Sequence, residues 1–368
     1  MAGSAGLVLA FGAASIFREQ ILLEEVKRFY PDACIFGCST AGEIYGTHVL
    51  DGSLCITAIG FEHTQCRGAR VKLSQSASSL EAGRNLAQAL PPSVPSLTPG
   101  KTDELAHVFV LSDGLKVNGS DLVCGLTEQI SEKVTITGGL AGDGDRFGET
   151  FVLCDGAPEK DVIAVLGLYG NRLRTGFGSL GGWDPFGPER IITRSDGNVL
   201  YELDGHSALE LYKKYLGEHA KGLPATGLLF PLSLRTRTSE NGVVRTILSV
   251  DEKKQTMTFA GNVPEGAYAR MMKANFDRLI DGAVGAAQTS RQAIGDNAPD
   301  LAILISCVGR KLVLKQRVEE EVEGVRDILG DRAVMAGFYS YGEISPFAPG
   351  AKCELHNQTM TVTTFVEE

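Results

Sequence analysis

Three glycine-rich segments carry the side chains best suited to bind a ligand or do chemistry. Their sequences are IFGCSTAGEI (35–44), TITGGLAGDG (135–144) and MAGFYSYGEI (335–344). They combine hydroxyls, carboxylates and a thiol with glycines, which let a ligand approach the backbone closely. We therefore predict one small-ligand site built from all three segments. Its predicted residues are Cys38, Ser39, Thr40, Gly42, Glu43, Gly138, Gly139, Asp143, Tyr339, Tyr341 and Glu343.

The acidic residues Glu43, Asp143 and Glu343 occupy matching places in the three segments. Carboxylates that converge in a cleft could act as acid and base. They could instead orient the amine of a ligand, or accept N–H bonds and hold the shape of their loops. The sequence leaves these three roles open.

Cys38 in GCSTAG resembles a nucleophile on a turn after a strand. A nucleophile needs a base within hydrogen-bond reach, and the sequence does not place a histidine beside Cys38. The spacing also differs from G-x-S-x-G. An enzyme using Cys38 is therefore the least favoured function. A nucleotide-binding enzyme is disfavoured too, because none of the segments has the G-x-x-x-x-G-K-[ST] pattern.

Candidates outside the segments are an aromatic residue and two histidines. Trp183 lies in GSLGGWDPFGPE, which we predict to be an ordered loop that either covers a ligand or anchors itself. Histidine is a common protein ligand to haem iron. His206 opens a predicted helix and His356 lies in CELHNQTMTV, so these two are the candidate metal ligands.

The elements that position the segments are predicted from repeated apolar patterns. Short apolar runs at Leu7–Phe11, Val108–Leu111 and Leu301–Ile305 each precede a helical pattern and a second apolar run. This order predicts three strand-helix-strand units. With the usual crossover, the paired strands are parallel and each glycine-rich segment leaves from a carboxyl end, where open α/β sheets bind ligands.

The predicted fold class is α/β (α+β), a two-domain sandwich of mixed sheets with helices. The predicted domains are 1–195 and 196–368. We predict a surface loop at Pro91–Glu104 and a hairpin with its turn at Asp251–Lys254. The acidic helix Val318–Gly324 is predicted to present a solvated face, with docking of a partner as the alternative.

Composition limits the classes of function. The 368 residues are 43% hydrophobic and carry a formal net charge of −10, so a large core is expected and nucleic acid is not an expected partner. No apolar run approaches the roughly 18 residues of a membrane span, and the start has no basic signal region. We therefore predict a cytoplasmic protein without membrane insertion.

The motifs together resemble the FIST family. They are GCSTAGEI, GGLAGDG, GGWDPFGPE, ELDGHSALELYKKYLG, SCVGRK, GFYSYGEISP and LHNQTMT, in matching order along nearly the whole chain. The resemblance implies FIST N-terminal and C-terminal domains and a sensory role in bacterial signal transduction. It also implies small ligands such as amino acids.

The segments RTILSV, TFAG and SCVGRK further resemble the subgroup of nitric oxide sensing proteins. That resemblance implies haem as cofactor, nitric oxide as signal, and a sensor histidine kinase or cyclic-di-GMP enzyme as partner. The expected function is therefore a stand-alone small-ligand sensor that binds haem, senses nitric oxide and regulates a separate signalling protein. A sensor of an amino acid or similar metabolite is the alternative.

Overall fold

Mixed sheets covered by helices form the framework of the protein. The computed structural model describes residues 5–19, 21–236, 242–295, 297–347 and 350–368. The first elements in the chain are β1 (Leu7–Gly12), α1 (Ala14–Glu19), α2 (Ile21–Phe29), β2 (Cys34–Ser39), β3 (Glu43–Tyr45), β4 (His48–Leu50), β5 (Leu54–Ile59), β6 (Gln65–Lys72), α3 (Ser79–Ala89) and β7 (Ser93–Pro95).

The middle of the chain is richer in strands. Its first elements are β8 (Thr102–Ser112), α4 (Gly119–Thr127), β9 (Thr135–Leu140), β10 (Val152–Cys154), β11 (Val162–Tyr169) and β12 (Leu173–Leu180). There follow β13 (Trp183–Asp196), β14 (Val199–Leu203), β15 (His206–Ser207), α5 (Ala208–Leu216), β16 (Leu232–Arg235), β17 (Val243–Arg245), β18 (Ile247–Asp251), β19 (Thr256–Phe259) and β20 (Tyr268–Ala274).

The last part returns to alternating strands and helices. Its elements are α6 (Phe276–Ala293), β21 (Leu301–Cys307), α7 (Val308–Leu314), α8 (Val318–Leu329), β22 (Val334–Ser340), β23 (Gly342–Pro346), β24 (Cys353–His356) and β25 (Met360–Glu367). Short 3-10 turns lie at Leu73–Gln75, Gly217–Gly222, Ala225–Leu229 and Lys315–Arg317.

Three units share one topology, as the sequence predicts. The strand pairs β1/β2, β8/β9 and β21/β22 are parallel and are joined by helices. On its other side, the first strand of each pair lies antiparallel to a later strand, which is β5, β11 or β25. The predicted mixed α/β class and the strand-helix-strand units are confirmed.

Each unit also receives a strand from another unit. Strand β3, which follows the first glycine-rich segment, pairs with β22 of the third unit. Strand β23 of the third unit pairs with β9 of the second, and β10 of the second pairs with β2 of the first. The exchange is cyclic, so the three units close around a common centre.

Backbone hydrogen bonds at this centre repeat the same cycle. The N–H of Ala41 donates to the carbonyl of Tyr339 at 2.8 Å, and that of Tyr341 donates to Leu140 at 3.2 Å. The N–H of Gly142 closes the cycle on the carbonyl of Ser39 at 2.9 Å. The donors and acceptors therefore occupy equivalent positions in the three units, which are related by an approximate threefold axis.

Glycine is required at one equivalent position in each unit. Gly37, Gly138 and Gly337 lie opposite the first strand of their own unit. A Cβ atom at any of these positions would overlap a carbonyl oxygen of that strand. The glycine of the repeated segments thus permits close approach of two backbones.

The residues between β12 and α6 form an additional body on this core. Strands β13 to β20 build one antiparallel sheet against which α5 packs. The predicted domain boundary near residues 195–197 falls in the turn of the β13/β14 hairpin, inside this sheet. We call residues 183–274 the inserted body, and the three units the core.

Other local predictions have mixed outcomes. The hairpin with its turn at Asp251–Lys254 is confirmed by β18 and β19. The predicted loops at Pro91–Glu104 and around Trp183 are wrong in part, because β7 and the start of β8 lie in the first and β13 in the second. Among the described residues, no helix has both the length and the apolar character needed to span a membrane.

The predicted solvated face of Val318–Gly324 is also wrong in part. Glu321 of α8 is fully buried and forms an ion pair with Arg310 of α7 at 2.7 Å. The same carboxylate accepts from the hydroxyls of Tyr339 and Ser306. Buried charges need this kind of partner, and the run of acidic residues in the sequence did not reveal it.

We expect Gly37→Ala and Gly337→Ala each to lower the free energy of unfolding by about 3 kcal/mol, the upper range for overpacking. The cause is overlap of the new methyl group with the neighbouring strand. Urea denaturation measures the change. Gly6→Ala is the control, because nothing lies within 4 Å of a Cβ there. Equal stability of the Gly37 and Gly6 variants would contradict the close approach.

Candidate functional site

The structure brings the three glycine-rich segments together at the centre of the core. Each predicted loop residue is buried there, and none of them lines the large cavity described below. Their polar atoms bond within the protein, in some cases to a neighbouring unit. For example, the hydroxyl of Ser39 donates to the carbonyl of Gly142 at 2.8 Å and accepts from the N–H of Phe151. The sequence thus predicts correctly that the segments meet.

Glu43 and Glu343 hold their loops through the same set of bonds. Glu43 accepts from the hydroxyl of Thr40 at 2.5 Å and from the N–H and hydroxyl of Ser53. Glu343 accepts from the hydroxyl of Ser340 at 2.5 Å and from the N–H and hydroxyl of Thr359. Each carboxylate therefore connects its glycine-rich segment to the residue just before the antiparallel strand of the same unit, which is β5 for Glu43 and β25 for Glu343.

Asp143 does not occupy the place of Glu43 and Glu343. The cyclic hydrogen bonds make Gly142 equivalent to Ala41, so Asp143 matches Gly42, one residue earlier than predicted. Its carboxylate accepts from the N–H groups of Gly148 and Glu149 and from the hydroxyl of Tyr341. Tyr341 in turn stacks on Phe147, with ring centroids 4.6 Å apart. The predicted equivalence is wrong, and Asp143 braces its own loop.

Burial dominates the electrostatics of this centre. It raises the pKa of Glu343 to about 8, against the donors from Ser340 and Thr359 that favour the ionised form. Burial also raises the pKa of Glu43. The thiol of Cys38 lies in an apolar cluster with Phe11, and burial raises its pKa well above the ordinary value. A thiolate nucleophile is disfavoured in that setting.

Trp183 anchors the inserted body to the core. Its indole N–H donates to the carbonyl of Gln358 at 3.1 Å, and its ring packs with Met272, Leu279 and Leu314. Of the two roles that the sequence left open, these contacts correspond to the anchoring one.

Neither candidate metal ligand lines the large cavity described below. His206 is exposed in β15, at the surface of the inserted body. His356 is buried, its Nε2 lies 2.9 Å from the carbonyl of Ser345, and burial lowers its pKa to about 4. The neutral ring therefore donates Nε2–H to that carbonyl. In the described part of the chain, no cluster of three or more His, Cys, Asp or Glu could hold a metal ion.

A cavity of about 1020 Å³ lies between the core and the inserted body. Helix α4 and the start of β9 form one wall, β16 and β17 form another, and the segment around β24 forms the third. Cys124 and Cys353 are on these walls, but burial raises the pKa of both thiols. The described residues of the lining include no histidine, so they do not fit a histidine-ligated haem.

The sequence analysis missed the residues at this junction. Asn262 of the inserted body donates to the carboxylate of Asp121 at 2.8 Å, accepts from Asn118 at 2.6 Å, and bonds through its N–H to Ser120. Arg245, at the end of β17, contacts Ser120 and lines the cavity. One signal was present in the sequence: Arg245 is a cation within the apolar run VVRTILSV.

Comparison with known families identifies both parts of the chain. The FIST N domain matches residues 6–206, and the FIST C domain matches residues 208–346. The chain belongs to the FIST family. FIST domains are associated with sensory signal transduction and bind small ligands in that role. The two matches meet between residues 206 and 208, whereas the predicted boundary at 195/196 stays a prediction.

Two relatives of this FIST protein are distant in amino-acid sequence. An uncharacterized protein of Methanocaldococcus jannaschii is 24% identical over 93% of this chain, and one of Mycobacterium tuberculosis is 26% identical over 63%. The chain spans 66% and 61% of the length of these curated relatives. A cyanuric acid hydrolase from A. caulinodans covers 83% of the chain, and the chain covers 99% of it, with 10% identity and a TM-score of 0.19.

The buried carboxyl at the centre of the FIST core should make stability depend on pH. The pKa of Glu343 is about 8 in the folded state, above its value of about 4.5 when unfolded. The folded state thus binds the proton more tightly, and this stabilisation is present below about pH 4.5 and lost as pH rises through about 8.

We expect the free energy of unfolding of the wild type to fall relative to Glu343→Gln over this range, by at most about 1.4 kcal/mol per pH unit. Urea denaturation at several pH values measures the two slopes. Glu132→Gln changes an exposed carboxyl and should keep the wild-type slope. Identical slopes for the wild type and Glu343→Gln would rule out a raised pKa at Glu343.

Proposed function

We propose that this protein is a sensor that binds a small metabolite in the cavity between the core and the inserted body, and passes its occupancy to a separate signalling protein. The observation that supports it is the cavity itself. Its volume of about 1020 Å³ is at the upper end of the range for ligand pockets, which occur preferentially at domain interfaces.

The position of the cavity supports a signalling role. A ligand there would contact α4 of the core and β17 of the inserted body at the same time. These parts are joined nearby by polar contacts such as those of Asn262 with Ser120 and Asp121. A ligand that binds one arrangement of the two bodies more tightly shifts the population toward it. Such a shift is something a partner protein can recognise.

The lining favours an amino acid or a similar metabolite. It contains the basic residues Arg235, Arg245 and Lys352 together with the acidic residues Glu128, Glu132 and Glu354. Opposite charges on the walls suit a ligand that carries both an anionic and a cationic group. A binding role rather than a catalytic one agrees with the burial of Cys38.

The partner and the signal rest on the family resemblance. It implies a sensor histidine kinase or a cyclic-di-GMP enzyme as the regulated protein, and we include such a partner in the proposal. Haem and nitric oxide stay a prediction outside it, because neither His206 nor His356 lies at the cavity.

We expect Cys124→Trp to abolish binding of the metabolite. Cys124 is an exposed residue of α4 on the cavity wall, so the indole would occupy ligand space without disturbing the core. The measurement is a thermal-shift screen of the twenty amino acids and related carboxylates, followed by calorimetry of each hit. The control is Gln88→Trp, at an exposed position of α3 away from the cavity. A hit that binds the wild type and Cys124→Trp equally would place the site elsewhere.

We expect His206→Ala and His356→Ala to leave the absorbance spectrum of haem mixed with the protein unchanged. His206 is at the surface and Nε2 of His356 is engaged by Ser345. The measurement is a haem titration followed in the Soret region, with and without nitric oxide. Stoichiometric binding with a Soret band that moves in either variant would support the haem sensor and argue against the metabolite.

A further inference from the structure

Arg245 is a buried cation that donates only to neutral acceptors among the described residues. Its side chain belongs to a residue that is only 8% exposed. The guanidinium donates to the carbonyls of Asn262 at 3.2 Å and Leu355 at 2.9 Å, and to the hydroxyl of Ser120 at 3.2 Å. A longer contact of 3.4 Å reaches the carbonyl of Val244. Within the described residues, no carboxylate bonds to it directly, although the charge of Glu354 is near enough to act against the lowering of its pKa.

A second buried arginine among the described residues shows the contrast. Arg310 is fully enclosed, but Glu321 lies 2.7 Å away and neutralises it. Removing a charge from water without an opposite charge is unfavourable, and neutral acceptors compensate only in part. Burial accordingly lowers the pKa of Arg245 to about 10, which still leaves it charged at neutral pH. Among the described residues, Arg245 is therefore a buried cation that no carboxylate contacts directly, and Glu354 acts on it only from a distance.

The location of Arg245 indicates which kind of ligand it could bind. Arg245 lines the cavity of about 1020 Å³ and contacts residues from all three walls: Asn262 from the inserted body, Ser120 from α4 and Leu355 from β24. An anion beside it would gain charge-assisted hydrogen bonds in a setting partly shielded from water.

The walls also limit the charge of that anion. Glu132 and Glu354 are exposed at the cavity, and both oppose a group with two negative charges. A carboxylate carries a single charge and can accept the one N–H of Nη2 that the described contacts leave unused. The lining therefore favours a carboxylate over a phosphate.

We propose that Arg245 anchors the carboxylate group of the small molecule that occupies the cavity between the core and the inserted body. This inference rests on the proposed function, since it names the chemical group that the sensor recognises. The anchored group lies where the two bodies meet, so its binding strengthens the contact between β17, α4 and β24.

Sodium formate is the probe, because the smallest carboxylate is not excluded by the shape of the cavity. The melting temperature of the full chain is measured in formate, inorganic phosphate, formamide and sodium chloride, with the salts at equal ionic strength. We expect formate to raise it by about 2 °C or more over chloride in the wild type. The neutral formamide should have no such effect, and phosphate a smaller one.

The variants assign this effect to one residue. Arg245→Met should lose the formate response. The matched control Arg174→Met should keep it, because Arg174 lies away from the cavity and is paired with Glu368. If Arg245→Met fails to fold, Arg245→Lys replaces it. The formate response of Arg245→Lys should fall at least twofold, because lysine lacks the Nη2 donor of the guanidinium. An equal response in the wild type and the Arg245 variant overturns the inference, as does no response in the wild type.

Two outcomes separate this inference from the proposed function. Metabolites that bind the wild type, are blocked by Cys124→Trp and are unaffected by Arg245→Met would support the sensor and overturn the anchor. A formate response that depends on Arg245, with no metabolite bound in the cavity, would support the anchor and argue against the sensor. A larger response to phosphate than to formate would overturn the carboxylate preference.

Discussion

The cycle of backbone hydrogen bonds among the three glycine-rich segments is the constraint on which the rest of the structure depends. Each segment satisfies an N–H group with a carbonyl of another unit, so none of the three loops has its native shape alone. Because the loops are buried, their polar side chains must find partners inside the protein. Glu43 and Glu343 find them in the same way, through hydroxyl and amide donors from nearby loops. The centre of the core is thus a structural hub.

A ligand site in such a protein requires a departure from the threefold arrangement, and the inserted body supplies it. Residues 183–274 cover one side of the core, beside the helix of the second unit, and leave a cavity at the junction. The two buried arginines illustrate the difference between the regions. Arg310 is neutralised within the core, whereas Arg245 at the junction donates only to neutral acceptors among the described residues. The buried cation of the core thus has a carboxylate in direct contact, whereas the cation at the junction can still accept an anionic ligand.

The sequence predicted the parts of the fold that depend on local patterns. Apolar runs and helical periodicity identified the three units, and repeated glycines identified the loops that meet. The sequence comparison aligned Asp143 with Glu43 because both are acidic. The hydrogen bonds between units instead align Asp143 with Gly42, one residue earlier. The sequence analysis missed the cavity, whose walls come from α4, β17 and β24. It also missed Arg245, since an arginine in an apolar strand does not reveal whether a carboxylate faces it.

The exchange of strands has a consequence for how the chain is made. Glu43 pairs with Phe338, so the sheet that receives β3 is incomplete until β22 has left the ribosome. During most of synthesis the first unit therefore exposes strand edges that can pair with other chains. Native pairing over such separations is slow, and the waiting segments are prone to aggregate. Production of this protein in a cell should therefore depend on chaperones that shield the first unit until the third arrives.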